Sequence, residues 1–243
     1  MENLEFKFSR GSLSADLLLF LAGLLDGNIP VSFAATGSDQ LEKLKFPHWH
    51  ILTPKTIPRR IGLLTPNDAH RLILEPVRGY VLYDDGVPER ILRMTAGHPY
   101  YTQVVCQSLV DYLNQKQEFA VALPQLTEVI ELVLNNPPPP LNHVWDSLSN
   151  AEKTAAAGLA HALTGEEQYA SAETVVASIP AELSAEAGDP ISFRSALDHL
   201  YREDWVERND RGAYRFQLDL LRLWISREHS VWQVADELQR SPK

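Results

Sequence analysis

Residues 87–113 read VPERILRMTAGHPYYTQVVCQSLVDYL. Two helices meet inside this stretch. Val87 to Ala96 forms the first, and Gly97 stops it, because glycine enters the left-handed conformation without steric cost. Pro99 then sits where a helix begins and a missing N–H is no loss. His98 to Lys116 continues as a long amphipathic helix with Val104, Val105, Leu109 and Leu113 on one face. Cys106 falls in this apolar pattern and reads as a buried structural thiol. It is the one cysteine, so an internal disulfide is excluded.

Working outward toward the N-terminus, Thr65-Pro66-Asn67-Asp68 opens another helix, with Thr65 as cap and Pro66 in the first turn. It carries Ala69, Leu72 and Ile73 and ends before Pro76. A loop with Gly79 and Asp84-Asp85-Gly86 connects it to the central pair. Further upstream, residues 12–26 predict a helix ended by Asp26-Gly27-Asn28. IPVSFAATGS (29–38) and KTIPRRIGLL (55–64) predict two short buried strands, the second with an irregular start at Pro58.

On the other side, Leu123 to Leu134 predicts the last helix of the cluster. Asn135-Asn136-Pro137-Pro138-Pro139-Pro140 predicts an extended, semi-rigid spacer and a domain boundary. Beyond it Ser149 and Glu152 form a capping-box pattern ahead of helix 149–163. Helices over 172–179 and 191–203 follow, the latter with Phe193, Leu197 and Leu200 at helical spacing. Residues 205–208 and 213–216 flank Asn209-Asp210-Arg211-Gly212 as a hairpin. Three helices and then a hairpin is the order of a winged helix. Helix 218–229 and a tail with Val231, Val234, Ala235 and Leu238 on one face complete the chain.

The formal charge is −10 over 243 residues. Residues 1–135 carry 15 acidic and 12 basic side chains, and the remainder 17 and 10. That balance argues against a general nucleic-acid binder, which needs clustered Lys and Arg. The apolar run Leu17 to Leu25 is too short to cross a bilayer and lacks the flanks of a signal peptide. The expectation is a cytoplasmic chain with no membrane partner. Phe46-Pro47-His48-Trp49-His50 brings two histidines together, but a metal site needs further ligands, and a surface turn is the simpler reading.

IGLLTPNDAHRLILEPV (61–77) followed by residues 87–113 resembles the lid of STAND and Orc/Cdc6-like AAA+ P-loop ATPases. Gly97-His98-Pro99 resembles the GxP motif that opens a lid helix in STAND proteins. The resemblance implies that Pro99 packs near a nucleotide base and that Gly97 and His98 border it. Read from the residues alone, the triplet is a helix boundary. Ala34-Ala35-Thr36-Gly37-Ser38 resembles a sensor-1 strand, which would face Thr36 toward a γ-phosphate. The end of the chain, YRFQLDLLRLWISREH (214–229), resembles the winged helix that follows the lid.

The departures from that family are specific. The sequence holds no G-x-x-x-x-G-K-[ST] loop, and no apolar strand pattern ends in an Asp-Glu pair. The chain is therefore not expected to bind a cofactor or hydrolyse ATP as given. ATP or ADP with Mg would belong to a complete protein with an N-terminal P-loop region, and Met1 reads as an internal methionine just beyond its Walker B strand.

The expected fold is mixed and mainly α: an α/β P-loop remnant over 1–64, a helical lid bundle over 65–135, and a C-terminal winged helix with a helical tail over 136–243. The expected role is a regulatory segment contacting a protein partner or a second copy. DNA binding would use Arg194, Arg208 and Arg211, but Asp198, Glu203, Asp204 and Asp210 lie among them. A ligand-free interaction module remains the third alternative.

Overall fold

Helix starts follow the capping chemistry of the sequence. Thr65 Oγ1 accepts from the Asp68 N–H at 3.2 Å, ahead of the helix that begins at Pro66. The Ser149 N–H donates to Glu152 Oε2 at 2.7 Å while the Glu152 N–H donates to Ser149 Oγ at 3.4 Å, a reciprocal capping box. Ser171 caps the next helix through the Thr174 N–H at 3.2 Å.

The computed structural model describes residues 15–27, 30, 32–34, 54, 57, 59, 61–165, 167–180 and 190–240. These are mainly helical. In chain order they form α1 (Ala15–Asp26), α2 (Pro66–Leu74), β1 (Leu82–Tyr83), α3 (Val87–Thr95), α4 (Pro99–Lys116), β2 (Ala120–Val121), α5 (Leu123–Asn135) and α6 (Pro139–Ser147). Then come α7 (Asn150–Ala162), α8 (Ala172–Ser178), α9 (Pro190–Arg202), β3 (Val206–Arg208), β4 (Tyr214–Phe216), α10 (Asp219–Glu228) and α11 (Val231–Arg240). Among the described residues no helix is long and apolar enough to cross a membrane.

Contacts divide the chain into two units, Met1–Ile61 and Gly62–Lys243. In the first, α1 buries Leu18 and Ala22 with Leu21 and Leu25 against them. Residues 32–34, inside the first predicted strand, have no regular structure. The same is true of 61–64 at the end of the second. Thr36 and the 46–50 turn lie outside the described residues.

In the second unit, α2 packs on α3 and α4, and α5 lies along α4. Two short strands, unexpected from the sequence, close the end of this group. β1 and β2 pair in parallel, Leu82 with Ala120 and Tyr83 with Val121.

The proline run differs from its sequence reading. Pro138 is the N-cap of α6, with φ −63° and ψ 138°, and Pro139 and Pro140 form its first turn. The first backbone N–H groups of a helix have no partner within it, so proline costs nothing there. The run thus ends in a helix instead of remaining a spacer. That helix buries Leu141 and Trp145 in the same apolar core as its neighbours, and one core runs from Ile73 to Ala235.

α7 is the hub of the later helices. It touches α8, α9, α10, α11 and β4. Every residue from Thr154 to Ala160 is buried. A Cβ on Gly158 would lie 2.7 Å from Ile179 Cγ2 and 3.1 Å from Val175 Cγ1, so α8 comes close only because that position is glycine. The β3–β4 hairpin pairs Val206 with Phe216 and Arg208 with Tyr214. Ala170, between α7 and α8, adds a third short rung through bonds of 2.9 and 2.8 Å with Tyr214.

Candidate functional site

Two places gather the residues singled out by the sequence. The first is the corner between α3 and α4. Ala96 (φ 49°) and Gly97 (φ 71°) both take left-handed backbone, which turns the chain sharply after α3. The Leu64 N–H donates to Gly97 O at 3.0 Å. A Cβ on Gly97 would stand 2.9 Å from Leu64 O, so conformation and close approach both demand glycine.

His98 is the N-cap of α4, with Pro99 in its first turn. Its N–H donates to Thr95 O at 2.8 Å, and its carbonyl accepts from the Thr102 N–H at 2.9 Å. Thr95 and Thr102 are wholly buried, and their hydroxyls meet at 2.9 Å. Thr95 Oγ1 also donates to Ile91 O, so the pair is internally satisfied.

The His98 ring leans on Tyr101, with centroids 4.7 Å apart, and Tyr100 meets Tyr101 edge-on at 5.3 Å. His98 Nδ1 is buried with no hydrogen-bond partner among the described residues, and burial lowers the pKa of the ring. Burial likewise pushes the Tyr101 hydroxyl up to about 12. The corner therefore presents a neutral imidazole and aromatic rings at neutral pH. It can stack or donate and accept weakly, and the triplet itself brings no charge to hold a phosphate. Gly97, His98 and Pro99 are brought together as one backbone device.

The second place is the face of α9 and the hairpin. Arg194 is ion-paired with Glu173 of α8. Arg208 Nη1 meets Asp198 Oδ1 at 3.0 Å, its guanidinium lies 4.9 Å from the Tyr201 ring centroid, and Tyr214 OH donates to the same Asp198 oxygen at 2.7 Å. Arg215 pairs with Glu207 and with Glu167, the latter at 3.0 Å. Arg211 sits in the hairpin turn, where its N–H donates to Asn209 Oδ1 at 3.0 Å and Gly212 supplies a φ of 75°.

Two of the three arginines proposed for DNA are thus neutralised by carboxylates of their own chain. Phosphates would have to displace those partners, which removes much of the counterion-release gain that drives nucleic-acid binding. The sequence shows the acidic residues nearby. It does not show that Glu173, 21 positions before Arg194, reaches it from another helix.

Two further features had no signal in the sequence. Glu167 pairs with both Arg93 of α3 and Arg215 of β4, joining the earlier helices to the hairpin. Both arginines hold its carboxyl below the ordinary range, Arg93 first. A cavity of about 190 Å³ lies between α7, α10 and α11. It is lined by Ala157, Ala160, His161, Ser226, Ser230 and Val231, and none of the sequence-derived site residues borders it. Among the described residues no three His, Cys, Asp or Glu side chains are grouped to hold a metal. No protein-family model matches this chain, and no curated protein matches it.

Proposed function

We propose that this chain is the lid and winged-helix regulatory segment of a STAND-type ATPase switch, without ATP hydrolysis of its own. The observation that carries the reading is the order of elements around one corner. A Gly-His-Pro turn opens the longest described helix of a helical group, and α7, the Ala170 rung, α8, α9 and a hairpin follow it. Helix, short strand, two helices and a hairpin is the winged-helix order, and the three-rung pairing at Tyr214 supports it. In the complete protein ATP or ADP with Mg bridges a P-loop core and this lid. Gly97, His98 and Pro99 then border the nucleotide. Exchange shifts the population between two arrangements and exposes a surface for a protein partner or a second copy.

The test is to read the DNA upstream of the Met1 codon. The expected result is an open frame carrying a GK[ST] loop and an apolar strand ending in Asp-Glu. An in-frame stop just upstream, behind a ribosome-binding site, would overturn the reading. The chain alone is expected to show no saturable ATP binding at millimolar nucleotide. The carboxylate pairing of Arg194 and Arg208 favours protein over DNA as the contact of the α9 face. A salt-dependent shift of duplex DNA, weakened by Arg194→Ala and Arg211→Ala, would reverse that preference.

A further inference from the structure

β1 and β2 form a parallel sheet of two strands, Leu82–Tyr83 beside Ala120–Val121. Parallel sheets are normally larger and covered, because a bare edge offers unpaired N–H and C=O groups. The Leu82 N–H donates to Phe119 O at 2.7 Å, and the Asp84 N–H donates to Val121 O at 2.9 Å. Every second residue of a strand bonds to a given neighbour, so Tyr83 turns its N–H and C=O away from β2. β1 is therefore an open edge.

The side chains around this edge are apolar and exposed. Leu82 is 59% exposed, Tyr80 just ahead of it 82%, and Phe119 beside it 65%. Ala120, which pairs with Leu82, is exposed as well. Charge lies at the two ends of the strand and has opposite signs there. Arg78 precedes β1, and Asp84 and Asp85 follow it. All three are exposed, and none is in an ion pair among the described residues.

We propose that β1 is a self-association edge, through which two copies of this chain pair into a mixed sheet ordered β2-β1-β1-β2. A two-fold axis at Tyr83 lays the second β1 antiparallel to the first, and the two Tyr83 residues exchange a pair of N–H···O bonds. The two Leu82 side chains become diagonal neighbours on one face of that sheet. The same axis sets the Arg78 end of each strand against the end of the other that carries Asp84 and Asp85. This self-complementary charge is what selects a second copy as the occupant. The inference does not depend on the nucleotide reading.

The test is sedimentation equilibrium of the full chain from about 10 μM to about 1 mM. A contact this small gives a weak dimer, with Kd on the order of 100 μM. The expected result is a monomer at the low end and a dimer at the high end. Leu82→Lys alters an exposed side chain, sets like charges beside the axis and should weaken the dimer about tenfold. Arg78→Glu should weaken it about fivefold, and adding Asp84→Lys and Asp85→Lys should restore it. A monomer at every concentration overturns the proposal and leaves the edge to a strand of another protein. Failure of either variant to weaken the dimer, or of the charge reversal to restore it, overturns it too.

Discussion

Helices α4 and α7 each pack against several neighbours, yet they are built on opposite plans. α4 spans 18 residues and buries large side chains on one face, with Tyr101, Val105, Leu109, Tyr112 and Leu113 projecting between α2, α3 and α5. α7 spans 13 residues and buries a nearly unbroken run of small ones, Ala155, Ala156, Ala157, Gly158 and Ala160, with Leu159 among them. The first helix is held by what its side chains fill. The second is held by how closely its neighbours approach. α4 should therefore be sensitive to truncation and α7 to enlargement, although both lie in one apolar core.

The largest expected effect tests the α4 side of that contrast. Leu109 is completely buried, and Leu109→Ala should cost about 3 kcal/mol, read as a lower denaturant midpoint with an unchanged slope. A loss below about 1 kcal/mol would mean that the α4 core collapses around the gap.

Next comes Gly158→Leu on α7, expected to cost about 2 kcal/mol because even a Cβ would stand inside van der Waals contact with Ile179 and Val175. Near-UV circular dichroism should change as α8 is pushed away. An unaltered spectrum and unaltered stability would break the comparison.

Gly97→Ala should cost about as much, roughly 1–2 kcal/mol, from positive φ and the nearby Leu64 carbonyl together. Faster amide exchange at Leu64, whose N–H bonds to Gly97 O, is the local readout. Ser149→Ala, which removes the cap of α7 without touching its packed face, should cost about 1 kcal/mol by the same denaturation measurement.

Helix boundaries were the most legible part of this fold. Thr65-Pro66, Pro99 and Ser149 with Glu152 place their helix starts within a residue of those seen, because capping is local chemistry. The hairpin was legible for the same reason, since Asn209 and Gly212 carry their turn within six residues. What stayed hidden is what depends on distant partners. Nothing local announces that Leu82 pairs with Ala120, that Ala170 pairs with Tyr214, or that Glu167 bridges Arg93 and Arg215.

α6 was hidden for a different reason. Four prolines read as a helix breaker, and the last two start a helix because they fall in the one turn where their missing N–H groups are not needed. Of the candidate site, the geometry of Gly97-His98-Pro99 was legible as a helix boundary. The unpartnered imidazole nitrogen and the pairing of Arg194 with Glu173 arise only from tertiary packing, which leaves no local mark in the sequence.

The unbroken core that passes beneath the proline run also has a mechanical meaning. Helices on either side of that run share buried neighbours, so neither can be peeled away without exposing the other. Pulled from its ends, the unit Gly62–Lys243 should resist as one object and yield in a single step, releasing roughly 600 Å of chain at once. Two beads on a proline string would instead give two smaller steps.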